Sequence, residues 1–350
     1  MAALPLSFTQ CSLLGETVLN GFWGQVVDAV NELRRLPGSH VVAAGLVTAA
    51  RTATVFRKQR ELMRLDVLRR YAGISWGNDA FFHVRHRHYL SSHLTTQQRI
   101  DCALVHYRYE DNAYVAAYKE AVYRGDGIVL WNKAVGPVVY SLVLRGISDV
   151  RHEGGVSVVL LADGNLVSEM SFAWVGGSIV GTSDDIVPFI TKNQSARHDW
   201  DRVRRFREDF PQNSPAYFCL AAMNGVAEAH RKSRLAGIRH HCQIAFETQY
   251  ADSFRRSYCD FWKSFGGVES GPQAYVMAVP LAAAPLSQVK SRHRKRALER
   301  RRHWSEIADA AAAVVSRYRR SHNGSEAPIG RLLAALLPHA TTLMSLATSV

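Results

Sequence analysis

The stretch "GVSVVLLADGNLVSEMSFAWVGG" places two β-branched, aliphatic runs on either side of Asp163-Gly164. An Asp-Gly pair between such runs is a strong hairpin signal, because a two-residue turn needs positive φ at both positions and these residues reach it at low cost. The upstream run "GIVLWNKAVGPVVYSLVLRGIS" has the same texture of short alternating spans punctuated by glycine. Three or four antiparallel strands are therefore expected after Gly125. Every other segment must pack on that sheet or extend it.

The flanks read as helices. Residues up to about 120 carry apolar residues at helical spacing, as at Phe22, Val26, Val27, Val30 and Leu33, and "TTQQRIDCALVHYRYEDNAYVAAYKEAVY" continues the pattern behind a cap at Thr95 or Thr96. Downstream, "NSPAYFCLAAMNGVAEAHRKSRLAG" predicts a helix capped by Ser214, with Pro215 at its first position, Leu220, Met223, Val226 and Ala227 inward, and Gly237 as its stop. "IRHHCQIAFET" alternates Ile238, His240, Cys242, Ile244 and Phe246 on one side, which predicts a strand. Phe254, Tyr258, Phe261 and Phe265 then form one helical stripe, aimed at the sheet. Gly266 or Gly267 supplies a left-handed cap, and "AYVMAVPL" predicts the last strand. The expected fold is α+β: a helical region over 1–124, a mixed and mainly antiparallel sheet flanked by helices over 125–285, and a basic helical extension over 286–350.

The 350 residues are 47% hydrophobic, enough for a sizeable core, and carry 43 basic against 30 acidic residues, a net +13. Such a surplus favours anionic partners: nucleotide cofactors, acidic lipids or nucleic acid. It concentrates in "SQVKSRHRKRALERRRHW", where Lys290, Arg292, Arg294, Lys295, Arg296, Arg300, Arg301 and Arg302 face only Glu299. A solvated helix face is the default reading. Attraction to an anionic membrane surface through 290–302 comes next, at on the order of 1 kcal/mol per cation. Nucleic acid ranks last, because interleaved aromatics and a binding motif are missing. The first residues lack the charged and apolar regions of a secretory signal, and the segment 329–350 is interrupted by Arg331, Pro338 and His339. Five scattered cysteines (Cys11, Cys102, Cys219, Cys242, Cys259) include no CxxC pair, which fits buried free thiols of a reducing compartment. A cytoplasmic protein is expected, with peripheral contact to the inner membrane as an option.

Several stretches in order resemble the bacterial VirK/YbjX family, catalogued as a domain of unknown function. They are "RHRHYLSSHLTTQQRIDCALVHY", "HEGGVSVVLLADGNLVSEMSFAW", "IVGTSDDIVPFITKNQ", "GIRHHCQIAFETQYADSFRRSYCDFWKSFGGVESGPQAYVMAVPL" and "VKSRHRKRALERRR", spanning roughly residues 80–302. One departure is the long polar link "NQSARHDWDRVRRFREDFPQNSP" after Thr191-Lys192, where the family pattern has a short Gly-Leu-Arg-Pro-Lys-like turn. The family name implies a virulence or envelope-stress setting, and no chemistry. A non-catalytic factor of that kind at the inner membrane surface is one expectation.

The order of elements also resembles the GNAT acyltransferase fold, in which an aromatic helix ending in glycine precedes the final strand. That resemblance implies acyl-CoA as donor and a small-molecule or peptide amine as acceptor, although fold alone does not establish activity. Such a site needs a helix N-terminus for the pyrophosphate, a base for the amine and an acid for the leaving thiolate. Asn213 and Ser214 open the candidate helix, with Arg202, Arg204, Arg205 and Arg207 close in sequence, while the Gln/Arg-x-x-Gly-x-Gly/Ala loop is missing. The position of the GNAT tyrosine matches Trp262, so Tyr258, one turn earlier, is the candidate acid. Glu169 is the candidate base, against the plainer reading of a solvated strand residue, and Glu153 beside Gly154-Gly155 reads as a turn residue. Lys192 and Gln194 in "ITKNQ" are candidate ligand contacts, or else loop residues.

No metal site is expected. His88 and His93 have a zinc-like interval, and "RHHCQ" adds His240, His241 and Cys242, but neither a Cys pair nor HExxH accompanies them. The upstream group His83, His86, His88 and His93 reads as partly exposed helix residues beside Phe81, Phe82 and Tyr89. "WVGGSIVG" is too short and wrongly ordered for a Rossmann or P-loop fingerprint.

Overall fold

A computed structural model describes residues 53–72, 83, 88–146, 153–196, 200–281 and 286–320. The helical pattern expected over 22–33 and the apolar segment 329–350 lie outside the described residues. Helix α1 spans Thr96–Ala113 and starts at a capping box: the Gln98 N–H donates to the Thr95 hydroxyl, and the Thr95 N–H donates to the Gln98 side chain. Helix α2, Ala116–Tyr123, leads into the sheet.

Strands β1 (Ile128–Val135), β2 (Val138–Gly146), β3 (Val156–Ala162), β4 (Asn165–Gly176) and β5 (Ile186–Ser195) form an antiparallel meander. Asp163 (φ 48°) and Gly164 (φ 76°) make the expected left-handed turn between β3 and β4. Two helices follow, α3 (Trp200–Asp209) and α4 (Pro215–Ala229), before β6 (Arg234–Ile238), β7 (Val268–Ser270) and β8 (Ala274–Ala278). The eight-stranded order is β1-β2-β3-β4-β5-β6-β8-β7, with β5 and β6 the one parallel pair. The last helix among the described residues, α5, runs Ser291–Tyr318. The α+β class, the mainly antiparallel sheet and the basic terminal helix are thus as expected.

One face of the meander is apolar. Tyr140, Leu142, Leu160, Val158, Met170 and Phe172 are buried on it, and Trp131 and Tyr140 meet Phe206 of α3, Phe210 just after it and Phe218 of α4 at ring separations of 5.1–6.4 Å. Helix α4 is apolar nearly all round because it is covered twice, by the sheet below and α5 above. The α4–α5 crossing is close: a Cβ on Gly225 would stand 2.2 Å from the Ala308 carbonyl oxygen.

Three expectations are corrected. Helix α4 stops at Ala229, well before Gly237, because the His230 ring is hydrogen-bonded on both sides, to Tyr109 (2.9 Å) and Tyr114 (2.7 Å), and Arg231 turns left-handed (φ 52°). Gly237 then lies inside β6. The strand expected over "IRHHCQIAFET" ends at Ile238, since its partner Ala274 is the first residue of β8 and no ladder continues beyond it. His240–Cys242 instead forms one 3-10 turn. The aromatic segment is helical, but a π turn at Arg256–Asp260 separates Ala251–Arg255 from Phe261–Lys263. The extra residue in that turn brings Tyr258 and Trp262 into the core, leaving Phe254 and Phe261 half-buried. Gly266 (φ 76°) supplies the cap, and the added strand β7 intervenes before β8.

Candidate functional site

Side chains alternate along a strand, so the residues between the core positions of β3 and β4 emerge on the opposite face of the sheet. There the apolar pattern is broken by Ser157, Glu169 and Ser171. Ser157 stands opposite Ser171 in register, with hydroxyl oxygens 2.8 Å apart, and its Oγ also donates to Oε1 of Glu169 at 2.9 Å. The neighbouring strand contributes Lys192, whose Nζ lies 2.8 Å from Oε2 of Glu169 and 3.5 Å from Oε2 of Glu153. Gln243 donates from Nε2 to the other Glu153 oxygen, and the Thr191 hydroxyl donates to the Glu153 carbonyl.

A β-bulge sets this arrangement. Ser171 pairs with Lys192 and Phe172 with Ile190, so Thr191 is the extra residue. The bulge turns Lys192 onto the serine-carboxylate face while Ile190 stays in the apolar core. Lys192 and Gln194 are therefore strand residues, not loop residues, and Gln194 stands opposite Glu169 in register. Glu169 is not a solvated strand residue: it is largely covered and paired. Glu153 does lie in a 3-10 turn ahead of β3, as expected, but it is not a solvated one: it is 5% exposed and bonded through both carboxylate and carbonyl. Two carboxylates share one ammonium, which leaves a formal excess of one negative charge.

The parallel ladder beside Lys192 is short. It holds Phe189 to Ala236 and Ile190 to Gly237, after which β5 runs on through Thr191–Ser195 without β6 alongside. The aromatic segment fills that opening. The Asn193 N–H, which would otherwise face a neighbouring strand, donates to the Tyr258 hydroxyl at 3.3 Å, and Asn193 Nδ2 donates to the Ser257 carbonyl at 2.9 Å. Trp262 seals the adjacent position, donating from Nε1 to the Ile238 carbonyl at 2.9 Å. Of the candidate residues, Glu169 and Lys192 are thus in contact, and Tyr258 reaches the residue next to Lys192.

Asn213 and Ser214 lie elsewhere, at the start of α4. Ser214 occupies the cap position with extended backbone, but its side chain makes no capping bond. Asn213 is buried and accepts from Trp304 Nε1 at 3.1 Å. Tyr217 of the first turn stacks on Phe261 and meets the edge of Trp304 at 5.3 Å. A cleft of about 350 Å³ opens beside it between α4 and α5, lined by Tyr217, Asn224, Phe265, Arg301 and Trp304 among others. Nearby, Arg204 pairs with Asp201 and Arg205 with Asp209 within α3.

The histidines differ from expectation. His83 is buried against the rings of Tyr89 and Tyr107, where a partly exposed residue was expected. His93, His241 and Cys242 come together from two distant segments, and His240 Nδ1 lies 3.0 Å from Cys259 Sγ. Nothing in the sequence alone singles out Glu153 or Gln243 for this group. Ser157 and Ser171 carry a signal, as small polar residues inside otherwise apolar strands.

The profile of a family described as protein of unknown function, DUF535, matches residues 71–314. No curated protein and no solved structure matches the chain. Among the described residues, no helix is long and apolar enough to cross a membrane. The match covers well over half of the chain, so the protein belongs to the DUF535 family, the VirK/YbjX family that its motifs resemble.

Proposed function

We propose that the chain is a GNAT-like N-acyltransferase of the cytoplasm, moving an acyl group from an acyl-CoA to a small-molecule or peptide amine. The observation that carries this reading is the interrupted parallel pair β5/β6, opened after Ile190 and Gly237 and occupied by the Tyr258 hydroxyl. The strand order β5-β6-β8-β7, with α3 and α4 in the connection between the parallel pair, supports the same reading. In the proposed reaction the amine nitrogen attacks the thioester carbonyl, and Glu169 takes the proton that nitrogen sheds. The C–S bond then breaks, and Tyr258 protonates the leaving thiolate. Lys192 and Ser157 hold the Glu169 carboxylate in position. The excess negative charge of the Glu153–Lys192–Glu169 group suits a cationic amine. In this reading Gln194, opposite Glu169 in register, would contact the acyl portion, and the cleft beside Asn213 and Ser214, with its aromatic faces and Arg301, would take the nucleotide end.

Titration calorimetry of the full chain with acetyl-CoA and longer acyl-CoAs, followed by an amine-acylation assay, tests this. Tyr258→Phe and Glu169→Gln are each expected to lower kcat by about 10²- to 10⁴-fold with donor affinity little changed. Failure of the folded protein to bind any acyl-CoA overturns the proposal.

A second reading has its own observation. Lys290, Arg292, Arg294, Lys295 and Arg296 are all exposed on and before the first turns of α5. This favours a non-catalytic factor held at an anionic membrane surface.

A further inference from the structure

His93, His241 and Cys242 converge although His93 is 149 residues from Cys242 in sequence. Their donor atoms all lie within 4.8 Å of one another, and Cys242 Sγ stands 3.5 Å from His93 Nδ1. A tetrahedral zinc ion with bonds of about 2.3 Å to sulfur and about 2.0 Å to nitrogen needs a sulfur–nitrogen separation of roughly 3.5 Å. The pair therefore already has the edge length of such a polyhedron. The His93 and His241 rings are 5.7 Å apart and tilted at 51°, so their nitrogens can aim at a common point instead of stacking.

The two segments are fixed by bonds that do not involve the three side-chain donors. The Ser92 N–H and hydroxyl both donate to the Cys242 carbonyl, at 2.9 and 3.1 Å. The His93 N–H donates to Ser91 Oγ at 3.2 Å, and the Cys242 N–H donates to the Arg239 carbonyl at 3.0 Å. Ligand loops positioned before the ion arrives lose less freedom when it binds. Burial is graded across the group: Cys242 is buried, His241 half-buried and His93 exposed, which gives an ion a path in and leaves one side facing solvent.

We infer that His93, His241 and Cys242 form a three-ligand site for a borderline-soft divalent cation of the zinc class, with its fourth position open to water. Two imidazoles and one thiolate match that ion class better than calcium or magnesium, which take oxygen ligands. On binding, Cys242 loses its thiol proton to solvent and the sulfur–metal bond takes its place, with no change in oxidation state. The inference is independent of the transferase reading, since none of the three residues belongs to the Glu153–Lys192–Glu169 group.

The test uses the reduced full chain stripped of metal, titrated with Zn(II) against a chromophoric chelator and, separately, with Co(II) followed by absorbance. One equivalent is expected, with a thiolate-to-cobalt charge-transfer band. Cys242→Ser should abolish that band, and His93→Ala should weaken Zn(II) binding at least tenfold. His93 is exposed, so its variant is expected to fold, which circular dichroism checks. Cys259→Ser, which removes the thiol beside His240, should leave affinity and band unchanged. Absence of stoichiometric binding, retention of full affinity in His93→Ala, or loss of the band in Cys259→Ser instead of Cys242→Ser would each overturn the site. Zinc binding without acyl-CoA binding leaves this inference standing and removes the transferase reading, and the converse result does the opposite.

Discussion

Gly237 has room for a hydrogen and little more. A Cβ there would meet Cε2 of Trp262 at 2.4 Å, with two further indole atoms within 2.8 Å. The indole cannot retreat without losing its bond to the Ile238 carbonyl. Gly237→Ala is therefore expected to destabilise the protein by about 1–3 kcal/mol, as overpacking does. Adding Trp262→Phe should recover less than the full loss, because the smaller ring relieves the clash but leaves a carbonyl without its donor; urea unfolding of the three proteins measures both. In the sequence, Gly237 reads equally well as a helix stop. A glycine marks a place where a side chain is excluded, and only the packed neighbour shows whether a turn or a close approach excludes it. Glu153 teaches the same lesson, since a carboxylate beside two glycines looks like turn chemistry until Lys192 and Gln243 are seen around it.

Helix α5 joins two unlike halves. Beyond Trp304 it buries Ile307, Ala311 and Val315 against the core, while its first turns carry the exposed cations. Deleting α5 would strip the cover from α4 and expose that helix's apolar outer side, so truncation cannot isolate the role of the charges. Reversing Arg292, Arg294, Lys295 and Arg296 to glutamate alters exposed residues alone. If the membrane reading holds, the unaltered protein sediments with vesicles containing phosphatidylserine, salt weakens the association, and the quadruple variant stays in the supernatant. Equal sedimentation of both proteins would dismiss that role. The basic run was plain in the sequence; that the same helix is a structural layer of the fold was not, because burial of one stripe depends on α4 lying beneath it.

At the scale of the molecule, Glu110, His106 and His230 are buried between α1, β4 and the end of α4. Burial raises the Glu110 carboxyl from 4.5 to about 7 in spite of hydrogen bonds from Trp174 and Tyr123. Burial likewise lowers His106 and His230 from 6.5 to about 3, with His83 near the first and Arg319 and Lys232 near the second adding in the same direction. Between pH 4.5 and 7 the folded state holds a proton on Glu110 that the unfolded chain has released, so this group's contribution is present below pH 4.5 and is lost as pH rises to about 7. The histidines act oppositely: the unfolded chain binds their protons below about pH 6.5, so their contribution is lost as pH falls toward 3. Glu110→Gln removes only the first effect. Its stability relative to the unaltered protein should therefore increase steadily from pH 4.5 to 7, measured by denaturant unfolding at intervals across that range. A parallel pH profile in the two proteins would show that Glu110 does not hold a proton in the folded state.

Features that depend on near neighbours along the chain are legible in the order of residues alone. The Asp163-Gly164 turn, Pro215 at the start of α4, a helix cap at Thr95 or Thr96 and a left-handed cap at Gly266 or Gly267 are legible within a few residues, where backbone preference and local hydrogen bonds act; the structure selects Thr95 and Gly266. Features that depend on which segments meet emerge only in the folded chain. The end of β6 was set by where β8 begins, the π turn by the need to seat Tyr258 and Trp262 together, and the Glu153–Lys192–Glu169 and His93–His241–Cys242 groups by strand register and loop contacts across long separations. Spacing along the chain carries no record of those meetings, because side chains far apart in sequence interact only after the sheet has brought them within reach.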